Sequence, residues 1–208
     1  MKNKIAIKWL FLSGLAILVL FSTLFGYYII STQSVTDCMA YCVQNSDRGA
    51  TVFSRIGDGR YVEDYAYFIA ANGDSSKAQE VFVFKRKHFG PFAIDRYEFV
   101  MSSTQAVTSD NSENSFGSIQ FFTRNDNGEK DTGTTLLFFG ANQDSDIAKY
   151  EYTLTVKEGA NTYTGNVVRN ELVWFVKFFD LGNVDENTKK VITEVKFYTE
   201  SGRLVSTY

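Results

Sequence analysis

The chain has 208 residues, 44% hydrophobic and 16% aromatic with a single Pro, which excludes intrinsic disorder and suits one domain or two small ones. Its formal charge is −3, and because Lys2, Lys4 and Lys8 contribute +3 at the start, the remainder carries −6. Phosphate backbones attract clustered positive charge, so this acidic remainder argues against nucleic acid as the main partner.

Residues 9–30 (WLFLSGLAILVLFSTLFGYYII) contain no charged side chain. As a helix rising about 1.5 Å per residue they reach about 33 Å, enough to cross a hydrocarbon core of about 30 Å. Residues 1–8 are therefore expected to be a cytoplasmic tail and residues 9–30 a transmembrane anchor. The three lysines precede the run and no Lys or Arg follows until Arg48. The positive-inside rule then puts the N-terminus in the cytoplasm and the C-terminal domain outside the plasma membrane. Trp9 at one end and Tyr27 and Tyr28 at the other suit interfacial aromatic belts. A cleaved secretory signal has an apolar centre of about 7–15 residues and a small-residue cleavage site. This run is longer, and STQSVTDC after it matches such a site only loosely, so a retained anchor is expected.

Residues 31–50 are expected to join anchor and domain, with 33–45 a short helix or spacer. Within it Cys38 and Cys42 stand four apart, which in a helix puts both thiols on one face. Their Cα atoms would lie about 6 Å apart, near the upper end for a disulfide. A local disulfide, two free thiols packed as small hydrophobes, and a link between neighbouring chains all remain open. Two cysteines alone cannot complete a structural zinc site.

After Arg48-Gly49, short aromatic and β-branched runs alternate with Gly, Asn, Asp and Ser clusters, the pattern of antiparallel β-structure. A first β lobe, 51–103, holds runs at 51–56 and 60–71 around Gly57-Asp58-Gly59, then 80–87 and 92–102 joined by His88-Phe89-Gly90-Pro91. In 60–71, Tyr61, Tyr65, Tyr67 and Ile69 share one face while Val62, Ala66 and Phe68 share the other. Both faces are partly apolar, so both should be covered. Residues 104–115 (TQAVTSDNSENS) are small and polar, a linker or loop.

A second β lobe, 116–208, holds runs at 116–124, 134–141, 147–157, 162–168, 170–179, 191–199 and 203–208. In 147–157 the alternation is strict. It assigns Ala148, Tyr150, Tyr152, Leu154 and Val156 to the core, and Ile147, Lys149, Glu151, Thr153, Thr155 and Lys157 to water. Residues 170–179 (NELVWFVKFF) are nearly continuous in apolar side chains and read as a central strand. The expected fold is mainly β, with about eleven strands: a single N-terminal transmembrane helix, then an extracytoplasmic antiparallel β domain of one body or two sandwich-like lobes.

The succession Phe139-Gly140-Ala141-Asn142, Asp146-Ile147-Ala148-Lys149-Tyr150-Glu151, Trp174-Phe175-Val176 and Val195-Lys196-Phe197-Tyr198 resembles a group of small proteins. They are secreted or membrane-anchored β-rich proteins of low-GC Gram-positive bacteria. Asp64-Tyr65-Ala66-Tyr67 and the run from Val83 to Pro91 fit the same group. The resemblance implies location and fold; that group has no assigned activity, so it implies no site.

His88 is the only histidine, and no G-x-S-x-G elbow or other nucleophile motif accompanies it, so catalysis and a cofactor are not expected. Tips at 125–131 (NDNGEKD) and 142–146 (NQDSD) have a Ca²⁺-loop flavour. Aligning Gly128 to the EF-hand glycine, however, puts Thr123 and Thr134 where carboxylates are needed, so turn chemistry accounts for them. Lys85, Arg86, Lys87 and His88, with Arg96 on the next run, form the densest positive cluster. Such a cluster suits contact with anionic headgroups or envelope polymers, or else a solvated strand end that discourages edge pairing. The expected function is a non-enzymatic envelope protein binding another envelope protein or an anionic polymer. A sensor or accessory subunit of a membrane complex is the alternative, and an envelope hydrolase comes third. The eight residues before the span leave no room for an inner domain, so such a sensor would act through lateral helix contacts.

Overall fold

The structure, a computed structural model, describes residues 2–57, 65–72, 79–89, 92–105, 107–108, 115–122, 134–142, 146–156, 159–178 and 191–208. Helix α1 (Lys2–Ser31) contains the apolar run, and its segment Trp9–Ser31 is long and apolar enough to span a membrane. Its residues from Trp9 to Leu24 are exposed on every side. An all-apolar exposed helix matches a bilayer rather than water.

Helix α2 (Val35–Gln44) starts where Ser34 caps it: the hydroxyl accepts from the Asp37 amide and the Asp37 carboxylate accepts from the Ser34 amide. This reciprocal box satisfies amides that a helix start leaves unpaired. The expected short helix is thus present.

Strands follow in the order β1 (Phe53–Ile56), β2 (Tyr65–Ala70), β3 (Gln79–Phe89) and β4 (Phe92–Gln105). Next come β5 (Val107–Thr108), β6 (Ser115–Phe122), β7 (Thr134–Ala141), β8 (Ile147–Val156) and β9 (Gly159–Asn166). The described chain ends with β10 (Val168–Arg169), β11 (Val173–Phe178), β12 (Val191–Thr199) and β13 (Leu204–Thr207). They form three antiparallel sheets with orders β1-β2-β3-β4, β10-β11-β7-β6-β5 and β13-β12-β8-β9. The fold is mainly β, as the alternation predicts. The Asp58-Gly59 turn, most of the 104–115 segment and the tips at 125–131 and 143–145 lie outside the described residues.

The sheets stack, with the β7 sheet in the middle. Tyr65, Tyr67, Ile69, Val81 and Val83 of the first sheet share a core with Ile119, Leu137, Phe139 and Val173 of the second. The other face of the second sheet, with Phe116, Phe138, Trp174 and Val176, packs on Ile147, Val195, Phe197 and Val205 of the third. The outer face of the first sheet, with Ala66, Phe68, Phe82 and Phe84, is closed by Cys38 and Cys42 of α2. Each large apolar side chain buried this way contributes about 1.5–3 kcal/mol.

Two expectations about strand faces are met here. β2 is covered on both sides, and β11 is an interior strand between β10 and β7. One needs correction: Ile147, assigned to water, is fully buried in the core, whereas Ala148 is half-buried. The register slips where Tyr198 faces Lys149 but Thr199 faces Ile147, and this irregularity shifts the alternation by one residue.

Two glycines are set by aromatic partners on the facing strand. Gly140 lies opposite Trp174, and a Cβ there would stand 2.6 Å from the indole Nε1. Gly165 lies opposite Tyr150, with a Cβ position 2.6 Å from the phenol ring. Both are close approaches that only a residue without a side chain allows.

Candidate functional site

The far end of the β3–β4 hairpin meets helix α1. On the β2 side the last described partner is Tyr65, opposite Lys85, whereas β3 continues to Phe89 paired with Phe92. The four residues Arg86 to Phe89 cover about 13 Å at strand rise. This extension lies along the last turns of α1. Phe21, Phe25, Tyr28 and Thr32 recur at helical spacing and form one stripe down the helix. Phe89 packs into it, with ring centroids 5.4 Å from Phe21, 5.3 Å from Phe25 and 5.2 Å from Tyr28.

Polar contacts fix the top of this interlock. The Tyr28 hydroxyl donates to the Lys87 carbonyl at 2.8 Å, and Tyr28 is buried. Arg96, on β4, donates from Nε to the Thr32 hydroxyl at 2.7 Å and from its terminal nitrogen to the Ile29 carbonyl at 2.7 Å and to the Thr32 carbonyl. The last carbonyls of a helix have no partner within it and carry its negative dipole end, so a guanidinium is well matched to them. Immediately beyond, Gln33 and Tyr97 exchange two backbone hydrogen bonds of 2.7 and 2.8 Å. The chain thus crosses the open edge of β4 and enters α2 on the opposite face of the sheet. Helix and sheet meet with no slack segment between them.

Loop 45–50 is held on the same sheet by Glu80. Its carboxylate, almost fully buried, accepts from the Ser46 hydroxyl at 2.6 Å, the Asp47 amide at 3.0 Å and the Thr104 hydroxyl at 3.3 Å.

The basic cluster read from the sequence is gathered at this junction, but split by strand alternation. Lys87 stands opposite Arg96 on the α1 side of β3, while Arg86 stands opposite the buried Tyr97 and faces the other side. Arg96 stands opposite Lys87 and is spent on the end of α1; Lys87 pairs with Glu98 at 2.6 Å. Cys38 and Cys42 are free thiols, both fully buried on the inner face of α2. Burial pushes the Cys38 thiol up to about 12, with Asp37 adding to the effect, and raises Cys42 further. They act here as small hydrophobes.

Of the two tyrosines expected at the interface, Tyr27 is 72% exposed and free to lie among headgroups, whereas Tyr28 faces protein. Sequence reasoning missed Tyr28, Thr32, Phe89 and Glu80 as determinants. The stripe 21-25-28-32 was available as a helical period ending in two polar side chains, unusual in a purely lipid-facing helix.

No family model, no curated protein and no solved structure matches the chain.

Proposed function

We propose that this chain is a single-pass membrane protein of the cell envelope whose β domain stands on the outer membrane face and acts by binding another envelope component. The observation that carries the proposal is the interlock of α1 with the β3–β4 hairpin: Arg96, Tyr28 and Phe89 hold the domain in one attitude to the spanning helix. Such seating presents a constant surface to whatever lies at the membrane face. The orientation rests on Lys2, Lys4 and Lys8 before the span and on the lack of Lys or Arg from there to Arg48. The resemblance to anchored β-rich proteins of low-GC Gram-positive bacteria supports the same location.

The test is crosslinking of the intact protein in its native membrane followed by mass spectrometry. A reproducible partner crosslinked through the β domain is expected; only random, abundance-ranked neighbours would count against a binding role. Labelling a Thr164→Cys variant in whole cells with a membrane-impermeant reagent checks the orientation, and labelling that needs cell lysis would reverse it.

The same interlock favours one second reading, a sensor or accessory subunit, because a tilt of the β domain would be carried directly into α1. Replacing residues 9–20 with an unrelated apolar sequence, while keeping Phe21 to Thr32, separates the two. Full function in that chimera excludes signalling through the helix.

A further inference from the structure

We propose that β9 is a self-pairing edge: two copies of this chain join β9 to β9, antiparallel and centred on Tyr163, so that their four-stranded third sheets become one continuous sheet. The partner is a second copy of the chain, and the pairing does not depend on the binding role given above.

β9 ends the third sheet, and every residue of it except Gly165 is exposed. Its register against β8 runs from Val156 opposite Gly159 to Lys149 opposite Asn166 without a shift. Just beyond, the Val167 amide donates to the Ala148 carbonyl at 2.9 Å, which makes those two a hydrogen-bonded pair. Such pairs alternate along an antiparallel ladder. Asn161, Tyr163 and Gly165 therefore spend their backbone groups on β8, while Ala160, Thr162, Thr164 and Asn166 turn theirs outward. Proteins guard sheet edges with shortness, charge, proline or bulges. Among the described strands, β1 and β13 have only four residues and β5 and β10 only two. The long edge of β4 carries Arg96 and Glu98 and is crossed by Gln33 at Tyr97. β9 has eight residues with no charge, no Pro and no bulge. An edge left open in this way is a template for another strand.

The residues around Tyr163 select the occupant. Thr162-Tyr163-Thr164 reads the same in both directions, so an antiparallel copy centred on Tyr163 sets each Thr162 opposite the other copy's Thr164. Thr–Thr and aromatic pairs are favourable across strands. In this register the outward groups of Thr162 and Thr164 bond each other between copies, as do those of Ala160 and Asn166, giving about eight hydrogen bonds. The two Tyr163 residues meet in a non-hydrogen-bonded pair, where Cα atoms stand only about 4.5 Å apart and side chains are closest. Tyr163 already stacks on Tyr152, with centroids 5.1 Å apart and planes 20° apart, and it is still 44% exposed. A second Tyr163 covers that open side. It also extends the row of Tyr150, Tyr152 and Tyr163 into the other copy. No like charges oppose one another, because β9 carries none. An unrelated strand finds no charge on β9 to pair with and gains mainly the backbone bonds.

The experiment uses the purified full chain in phosphatidylcholine–phosphatidylglycerol vesicles under mild oxidation. Tyr163→Cys should form a disulfide-linked dimer at least about fivefold faster than Thr162→Cys, whose own copies sit diagonally and too far apart for a bridge. A mixture of Thr162→Cys and Thr164→Cys should link the two variants to each other. The native thiols are buried, and wild type checks that they stay silent. Ser201→Cys, on the exposed turn between β12 and β13, gives the rate of chance collision. Tyr163→Cys no faster than Ser201→Cys, or no faster than Thr162→Cys, overturns the pairing. A second readout keeps Tyr163 in place: energy transfer between copies carrying donor and acceptor at Ser201→Cys. Thr164→Pro and Thr164→Lys, which block the outward edge and leave the β8 ladder intact, should each lower that transfer about tenfold with thermal stability unchanged. One copy per nanodisc supplies the monomer baseline. Transfer that persists in both variants overturns the edge, and a Tyr163→Cys adduct in native membranes with the mass of a different protein overturns the second copy as occupant.

Discussion

Arg96→Ala removes the guanidinium that joins β4 to the end of α1. Three charge-assisted contacts disappear, to the Thr32 hydroxyl and to the Ile29 and Thr32 carbonyls. Hydrogen bonds to charged groups contribute about 1.5–3 kcal/mol each when well buried. Arg96 is only half-buried and water can partly replace it, so about 1 kcal/mol per bond is the fitting figure. The loss of a cation at a helix C-terminus adds about 0.5 kcal/mol. The expected cost is about 3.5 kcal/mol, or roughly 7–14 °C in Tm for a chain of this size. Urea titration of the detergent-solubilised protein, followed by emission of buried Trp174, reads the loss as a lower midpoint with an unchanged slope. Arg96→Lys should recover less than half, since an ammonium cannot reproduce the planar fork. In a double-mutant cycle with Thr32→Val, a coupling of about 1 kcal/mol is expected. An unchanged midpoint for Arg96→Ala, together with additive effects in the cycle, would show that the helix end is not held by this residue.

Gly140→Ala should destabilise by about 2–3 kcal/mol, because its Cβ meets the fully buried Trp174 ring, whereas Gly165→Ala meets the partly exposed Tyr150, which can swing aside, and should cost less than about 1 kcal/mol; thermal denaturation compares them. Glu80→Ala leaves the Ser46, Asp47 and Thr104 donors without their acceptor and should cost about 2–3 kcal/mol, with faster amide exchange across residues 45–50. Raised thiol pKa values make folding favour the protonated form, so the stabilisation from Cys38 is present below the unfolded value of 9.0 and is lost as pH rises toward about 12. Cys42, also raised, acts in the same direction. Stability curves of wild type and a Cys38→Ala/Cys42→Ala variant should therefore converge above pH ~9, at up to about 1.4 kcal/mol per pH unit per thiol, and parallel curves would refute this. At pH ~8 iodoacetamide should modify both thiols only after denaturation, as burial and protonation both protect them.

Much of the architecture is written in local patterns. The apolar run at 9–30 specifies α1 without help from the rest of the chain. Alternation of two apolar faces in β2 specifies a strand covered on both sides, and the continuous apolar content of β11 specifies an interior one. Such patterns report which side of a strand is apolar, not which sheet will cover it. The three-layer stack and the place of α2 on its outside depend on contacts between segments far apart in sequence. The slip at Ile147 was hidden because an irregular pairing is a property of two strands, and one strand alone still alternates. Arg96 lay in the positive cluster by composition, but its role depends on acceptors at Ile29 and Thr32, more than sixty residues away. Tyr28 read as a membrane-belt residue for the same reason: its neighbour Phe89 arrives from another element.

The central proposal is that helix α1, long and apolar enough to span a membrane, forms one body with the β domain. It is tested most directly by electron-spin distance measurement in lipid nanodiscs, with labels at Val19→Cys on α1 and Thr164→Cys on β9. A single narrow distance distribution, broadened by Arg96→Ala, is the expected result. A broad distribution in the unmodified interlock, unaffected by Arg96→Ala, would show a hinge where the account requires a joint.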